Sequence, residues 1–129
     1  KPTFYCISPD ELQMPQAYKH HLEKMGLSGH EGQDLTEILP EADSIYRTRV
    51  QQDRFTDPIE YERVKNAYIL RRSMLEGCKE SMKVLHPLPR VNEIHTDVDS
   101  SPHAYYFDQA RNGVFTRMAI ITAILGIKS

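Results

Sequence analysis

The sequence predicts an α/β fold in three layers, α/β/α, with a central parallel sheet and a long helix at the C-terminus. Three observations carry this. Short runs rich in β-branched and aromatic residues alternate with amphipathic stretches, the order that builds parallel sheets with helices on both faces. The segment 104–125 holds the strongest helical periodicity, with Phe107, Ala110, Val114, Met118, Ile121 and Leu125 at steps of three and four. The length, 129 residues with 40% hydrophobic and 26% charged, suits one domain (1–129) around one core.

The elements follow in order. Thr3–Ser8 reads as a strand stopped by Pro9. Pro15 suits a first helical turn, and Ala17, Leu22 and Met25 carry the helical spacing to Gly26. A weaker pattern between Gly26 and Asp34 leaves room for a strand. Asp34 with Glu37 is a capping pair ahead of Ile38 and Leu39. Ser44–Thr48 is a second strand. Pro58 opens a helix to about Ala67 anchored by Ile59 and Val64, and Ser73 caps a short helix near Met74–Lys79. Met82–His86 is a third clear strand, running into Pro87-Leu88-Pro89. The last helix must absorb Asn112-Gly113. A mid-helix Gly costs ~1 kcal/mol relative to Ala, which close approach of another backbone would offset.

Composition narrows the function. A net charge of −2, from 16 basic and 18 acidic residues, offers no general attraction to nucleic acid or an anionic membrane. Cys6 and Cys78 form no CxxC pair and read as free thiols in a reducing compartment, the cytoplasm. No apolar run approaches the ~18 residues of a spanning helix, and no signal-peptide pattern opens the chain. The histidines lack HExxH or Cys/His ligand spacing, so no metal is expected. Nucleotide-loop and nucleophile-elbow motifs are absent from the sequence, and no cofactor is expected. The chain opens on Lys1 and reads as a processed chain or a piece of a longer protein.

In an open parallel sheet, ligands bind beyond the carboxyl ends of strands. Two such ends are chemically unusual here. The first is Tyr46-Arg47-Thr48-Arg49-Val50-Gln51, followed by Arg54; six of the nine arginines fall between Arg47 and Arg72. Arg49 and Gln51, two apart in an extended segment, point the same way. A guanidinium fork binds a carboxylate through two parallel bonds, and a neighbouring amide can serve an ammonium or a second carboxylate. The pair makes a receptor for an acidic amino acid; equally, these arginines can pair on the surface with Glu41, Asp43, Asp53 and Asp57. The second end is His86-Pro87-Leu88-Pro89-Arg90. Its two prolines remove backbone donors, leaving carbonyls able to accept from a ligand NH₂, or simply stiffening a turn after a buried strand. His86 by itself reads as a hydrogen-bonded structural histidine.

These ends carry a family resemblance. Tyr46-Arg47-Thr48-Arg49-Val50-Gln51-Gln52-Asp53-Arg54-Phe55 resembles the Tyr-x-Thr-Arg-[Val/Ile]-Gln-x-[Glu/Asp]-Arg-[Phe/Leu] segment of aspartate carbamoyltransferases. His86-Pro87-Leu88-Pro89-Arg90 resembles their His-Pro-Leu-Pro-Arg loop, and Ala104–Ala119 resembles their closing helix. The sister ornithine enzymes typically carry His-Cys-Leu-Pro at that loop. The resemblance spans essentially the whole chain and is to the second, aspartate-binding half of the family's catalytic chain. The first half's Ser-Thr-Arg-Thr and His-Pro-Thr-Gln motifs do not occur here.

The resemblance implies a Rossmann-like domain and transfer of the carbamoyl group from carbamoyl phosphate to the L-aspartate amine in pyrimidine synthesis. It implies an L-aspartate site at Arg49 and Gln51, and a carbamoyl site at the Pro87 and Leu88 carbonyls beside a cis Leu88–Pro89 peptide. It gives Arg54, Tyr61, Arg90, Glu93 and Arg117 roles in domain closure and loop support. Asn92 stands where some regulated bacterial members have Asp, so a link from that position to Tyr61 is not implied. The implied partners are L-aspartate, a carbamoyl-phosphate domain of the same parent chain, and the other subunits of a parent homotrimer, alone or with regulatory subunits or fused pyrimidine-pathway domains. The chain alone is expected to be inactive, with the stripe around Met118, Ile121 and Leu125 left under-covered. The alternative is a non-catalytic binding module on a transcarbamoylase fold.

Overall fold

The computed structural model describes residues 1–50, 55–65 and 68–127. Its strands pair in parallel. β1 (Thr3–Ile7) lies beside β2 (Ser28–Gly32), with Thr3 opposite Ser28 and Ile7 opposite Gly32. β3 (Ser44–Tyr46) lies beside β4 (Lys83–Leu85), with Tyr46 opposite Leu85. An isolated parallel bridge joins Val84 of β4 to Ala104, and another joins Leu70 to Ile94. The helices are α1 (Gln16–Lys24), α2 (Pro58–Val64) and α3 (Tyr106–Ile124), with short 3-10 turns at Asp10–Leu12, Arg72–Leu75 and Thr96–Val98. The α/β class, the parallel pairing and the long last helix are those the sequence predicts. The sheet differs: among the described residues it forms two separate pairs rather than one continuous layer. Within β3 only Ile45 is buried and within β4 only Val84. Pairing there spans three residues and gives way to the exposed Thr48, Arg49 and Pro87.

Local chemistry sets the helix ends. Asp57 caps α2, its carboxylate accepting from the Ile59 amide at 2.8 Å, with Pro58 in the first turn. Gly26 (φ +66°) ends α1: its amide donates to the Glu23 carbonyl and that of Leu27 to Leu22. Gly126 (φ +67°) ends α3 with the same two bonds, to Ala123 and Thr122. At 1.5 Å per residue α3 is ~28 Å long, and it runs unbroken through Asn112-Gly113. Among the described residues no second backbone comes within 4 Å of a Cβ built at Gly113, which would meet the Arg117 guanidinium at 3.1 Å.

Three other expectations are corrected. The Asp34 carboxylate accepts from the Thr36 amide and hydroxyl but opens only a series of turns, which Pro40 cannot extend into a helix. The Ser73 segment is a 3-10 turn at Arg72–Leu75. Met25 and Ile59 are exposed, so α1 and α2 are not anchored through them; in α2 only Val64, at its C-terminal end, is buried.

The core gathers Leu35, Leu39, Ile45, Leu70, Leu75, Met82, Val84, Ile94, Val98 and Tyr106. Burying each large aliphatic side chain is worth ~1.5–3 kcal/mol. This core surrounds the β3–β4 pair, from which the two unusual strand ends emerge. Of α3 only Tyr106 is buried. Met118 is 58%, Ile121 57%, Ile124 79% and Leu125 65% exposed, as expected for the stripe. No helix among the described residues is long and apolar enough to cross a membrane.

Candidate functional site

The parallel register of β3 and β4 brings the two unusual strand ends together. Beyond the Tyr46–Leu85 pair the ladder continues by one bond, from the Arg47 amide to the Leu85 carbonyl at 2.8 Å. The chains then leave the sheet on the same side, one as Thr48-Arg49 and the other as His86-Pro87-Leu88. Gln109, on the first turn of α3, spans both ends. Its Oε1 accepts from the His86 amide at 2.9 Å and its Nε2 donates to the Tyr46 hydroxyl at 3.4 Å. An open groove of about 460 Å³ runs along α3 from Tyr105 and Gln109 to Arg117.

The His86–Arg90 loop is held from inside. His86 is 1% exposed and Glu93 6%. The Leu88 amide donates to His86 Nδ1 at 2.8 Å, which leaves the ring proton on Nε2, 2.7 Å from Glu93 Oε1. Glu93 Oε2 accepts from the Val91 and Asn92 amides at 3.1 and 3.0 Å. Burial pushes the Glu93 carboxyl up, but the backbone amides and His86 outweigh it and hold it below the usual carboxylate range. Leu88 has φ +50° and the Leu88–Pro89 peptide is cis. A branched residue in that left-handed region costs ~1–2 kcal/mol, about what its amide's bond to His86 and the packing of its side chain against the core can offset. Among the described residues no donor reaches the Pro87 or Leu88 carbonyl.

Two further contacts brace the loop. Arg90 makes a two-point pair with Asp99, Nη2 donating to Oδ2 at 2.6 Å, and the Tyr106 hydroxyl donates to the same carboxylate. The Arg90 hydrogen bonds, with that of Tyr106, hold Asp99 below its ordinary range. Burial and the Asp99 carboxylate push the Tyr106 hydroxyl up to about 12. Arg47 turns inward: its Nη2 donates to the Tyr68 carbonyl and, at 3.5 Å, to that of Glu93. Burial lowers the Arg47 pKa, opposed by the Glu93 charge, and its Nε has no partner among the described residues. Arg47 therefore ties the first strand end to the segment that closes the second.

The comparisons with known proteins fit this geometry. Residues 1–124 match the model of the aspartate/ornithine carbamoyltransferase Asp/Orn binding domain. The chain belongs to this family. It is 56% identical over 127 residues to the aspartate carbamoyltransferase catalytic subunit of Parabacteroides distasonis, covering 98% of this chain and 42% of that one. It is 50% identical over 122 residues to the Vibrio vulnificus catalytic subunit, covering 95% and 39%. Among solved structures, the catalytic subunit of M. jannaschii aspartate transcarbamoylase superposes with a TM-score of 0.87 at 38% identity, over 98% of this chain and 42% of that one. The Trypanosoma cruzi enzyme in complex with carbamoyl phosphate and aspartate gives 0.78 at 34%, over 92% and 40%. The chain thus spans about two-fifths of the length of these relatives.

Within this carbamoyltransferase domain the structure brings Arg49, Pro87, Leu88, Arg90 and Glu93 to one end of the β3–β4 pair. Arg49 is exposed, and among the described residues no carboxylate pairs with it. Two of the acids weighed as surface partners are engaged elsewhere, Asp43 with Lys79 and Asp57 as the α2 cap. Tyr61 packs against Phe55 with ring centroids 5.8 Å apart, and Arg117 lines the groove on α3. Gln51 and Arg54 lie outside the described residues. Sequence reasoning missed Arg47, Gln109 and the Asp99–Tyr106 pair. No spacing signal marks them, since their partners lie 7 to 63 positions away. It read His86 as a hydrogen-bonded structural histidine, which the structure bears out, and its position two residues before the Leu88 amide is the local signal for that bond.

Proposed function

We propose that residues 1–129 are the L-aspartate-binding domain of an aspartate carbamoyltransferase catalytic chain. In this reading the aspartate amine attacks the carbamoyl carbon of carbamoyl phosphate, giving N-carbamoyl-L-aspartate and phosphate for pyrimidine synthesis in the cytoplasm. Arg49 forks a substrate carboxylate, and Gln51 sits beside the amine or a carboxylate. The Pro87 and Leu88 carbonyls, without a donor among the described residues, accept from the carbamoyl NH₂ and turn its carbon toward the amine. Catalysis is then mostly positioning and charge stabilisation. The observation that carries this is the pairing of two strand ends, one offering an exposed arginine and the other two carbonyls, none of them with a partner among the described residues.

A half-site needs its other half. The exposed α3 stripe is the surface on which a carbamoyl-phosphate domain of the same parent chain would seat, and Arg54, Tyr61 and Arg117 act in closing the two. The parent is a homotrimer, alone or with regulatory subunits or fused pathway domains. The test is turnover. The 129-residue chain should release no phosphate from carbamoyl phosphate and aspartate above a blank, and the full-length parent should turn over aspartate but not ornithine. In the parent, Arg49→Ala should lose ~2–5 kcal/mol of transition-state stabilisation. Arg49→Lys should also saturate poorly with aspartate, because an ammonium lacks the planar fork. Near-normal aspartate saturation in Arg49→Lys would remove Arg49 as the clamp.

A further inference from the structure

The His86–Arg90 loop has one interior backbone donor. Pro87 and Pro89 carry no N–H, so the Leu88 amide is the handle by which the rest of the protein can hold the apex. That amide donates to Nδ1 of His86, two residues earlier, at 2.8 Å. The other two nitrogens of His86 are in turn fixed: its amide by Gln109 Oε1 at 2.9 Å, and Nε2 by Glu93 Oε1 at 2.7 Å. Glu93 keeps its ionised, acceptor-only form because its other oxygen takes the Val91 and Asn92 amides. The ring is 1% exposed and cannot exchange these partners for water.

The consequence lies in the peptide plane. The Leu88 N–H and the Pro87 C=O belong to one planar trans unit and point in opposite directions. Holding the N–H inward on a buried imidazole forces the Pro87 carbonyl outward, at a residue that is itself exposed. We propose that His86, as its Nε2–H tautomer, is a positioning residue for carbamoyl transfer: it clamps the Leu88 amide and thereby aims the Pro87 carbonyl. Glu93 acts through it by fixing which nitrogen carries the proton. This rests on the function proposed above.

Two substitutions in the full-length parent separate this role from simple core support. His86→Asn keeps an acceptor that reaches the amide two residues on, as in an Asx turn, but loses the link to Glu93. His86→Gln reaches Glu93 and keeps more bulk, but loses the acceptor for Leu88. Hydrogen–deuterium exchange resolved to single amides by fragmentation of the 86–92 peptide separates Leu88 from Arg90, Val91 and Asn92, and kcat and aspartate KM are measured alongside. His86→Asn should retain slow exchange and a kcat within about 10-fold of wild type. His86→Gln should lose protection and fall on the order of 10²-fold in kcat, with a smaller change in KM. Fast exchange of Leu88 in the wild type, or His86→Gln matching or exceeding His86→Asn in both readouts, would overturn the clamp. A wild-type parent without carbamoyl transfer would instead remove the function, and the exchange pattern would still judge the clamp.

Discussion

Glu93→Gln tests the buried network most sharply, because it preserves volume and removes one acceptor. The Glu93 carboxylate serves donors at both oxygens: His86 Nε2–H at one, and the Val91 and Asn92 amides at the other. A Gln side chain has one oxygen and one NH₂, so one set of donors must face another donor. His86 cannot escape by switching tautomer, since a proton on Nδ1 would oppose the Leu88 amide. Pointing the amide oxygen at His86 is the cheaper choice, because Val91 and Asn92 are exposed and water can reach their amides. The loss is then two hydrogen bonds to a charged group, each worth ~1.5–3 kcal/mol before hydration recovers part. A destabilisation of about 2–4 kcal/mol is expected. With m of ~2 kcal/mol per M in urea, the middle of the usual range, the unfolding midpoint should fall by about 1–2 M at unchanged m. The assay is equilibrium urea denaturation of the 129-residue chain, followed by far-UV circular dichroism. A variant within about 0.5 kcal/mol of wild type, the range of ordinary surface changes, would show that the carboxylate is not the acceptor the loop depends on.

Two further outcomes follow from the same structure. Tyr106 titrates at about 12 when folded, above the ordinary ~10 of tyrosine, so its stabilising contribution is complete below pH 10 and is lost as pH rises from 10 to 12. Asp99, held low by Arg90 and Tyr106, acts in the opposite sense: its contribution is complete above the ordinary carboxylate range and lost as pH falls through its folded value. Thermal midpoints across the two windows, with tyrosinate absorbance at the alkaline end, check both; a flat alkaline profile would sever Tyr106 from Asp99. The exposed stripe on α3 should drive self-association of the isolated chain, and Ile121→Glu with Ile124→Glu should abolish it. Sedimentation velocity over a concentration series reads this, and a wild-type particle that stays monomeric throughout would show that the stripe is not adhesive.

What the sequence determined by itself is what depends on neighbours within a turn or two. Asp57-Pro58 opens α2, Gly26 and Gly126 close α1 and α3, and Pro87-Leu88-Pro89 ends a strand, because caps, left-handed glycines and missing amides act over one to six residues. The α/β class and parallel pairing were legible for the same reason, from alternating strand and helix periodicities. Where local signals were weak, tertiary structure decided. Asp34 capped a turn instead of a helix, and Ile59, apolar at the right spacing, stayed exposed because α2 is short and only Val64 reaches the core. The candidate site divides along the same line. Arg49, Pro87 and Leu88 were visible as residues of suggestive chemistry, but sequence left open whether Arg49 served a ligand or a surface acid. The register of β3 on β4 set those residues side by side and showed Asp43 and Asp57 engaged elsewhere. The bracing of the site by Gln109, Arg47 and Asp99 was the work of tertiary structure alone, and Glu93 was marked only through the family resemblance. A hydrogen bond needs its partners within about 3 Å, and only packing of the core brings together groups as far apart in the chain as Tyr46 and Gln109.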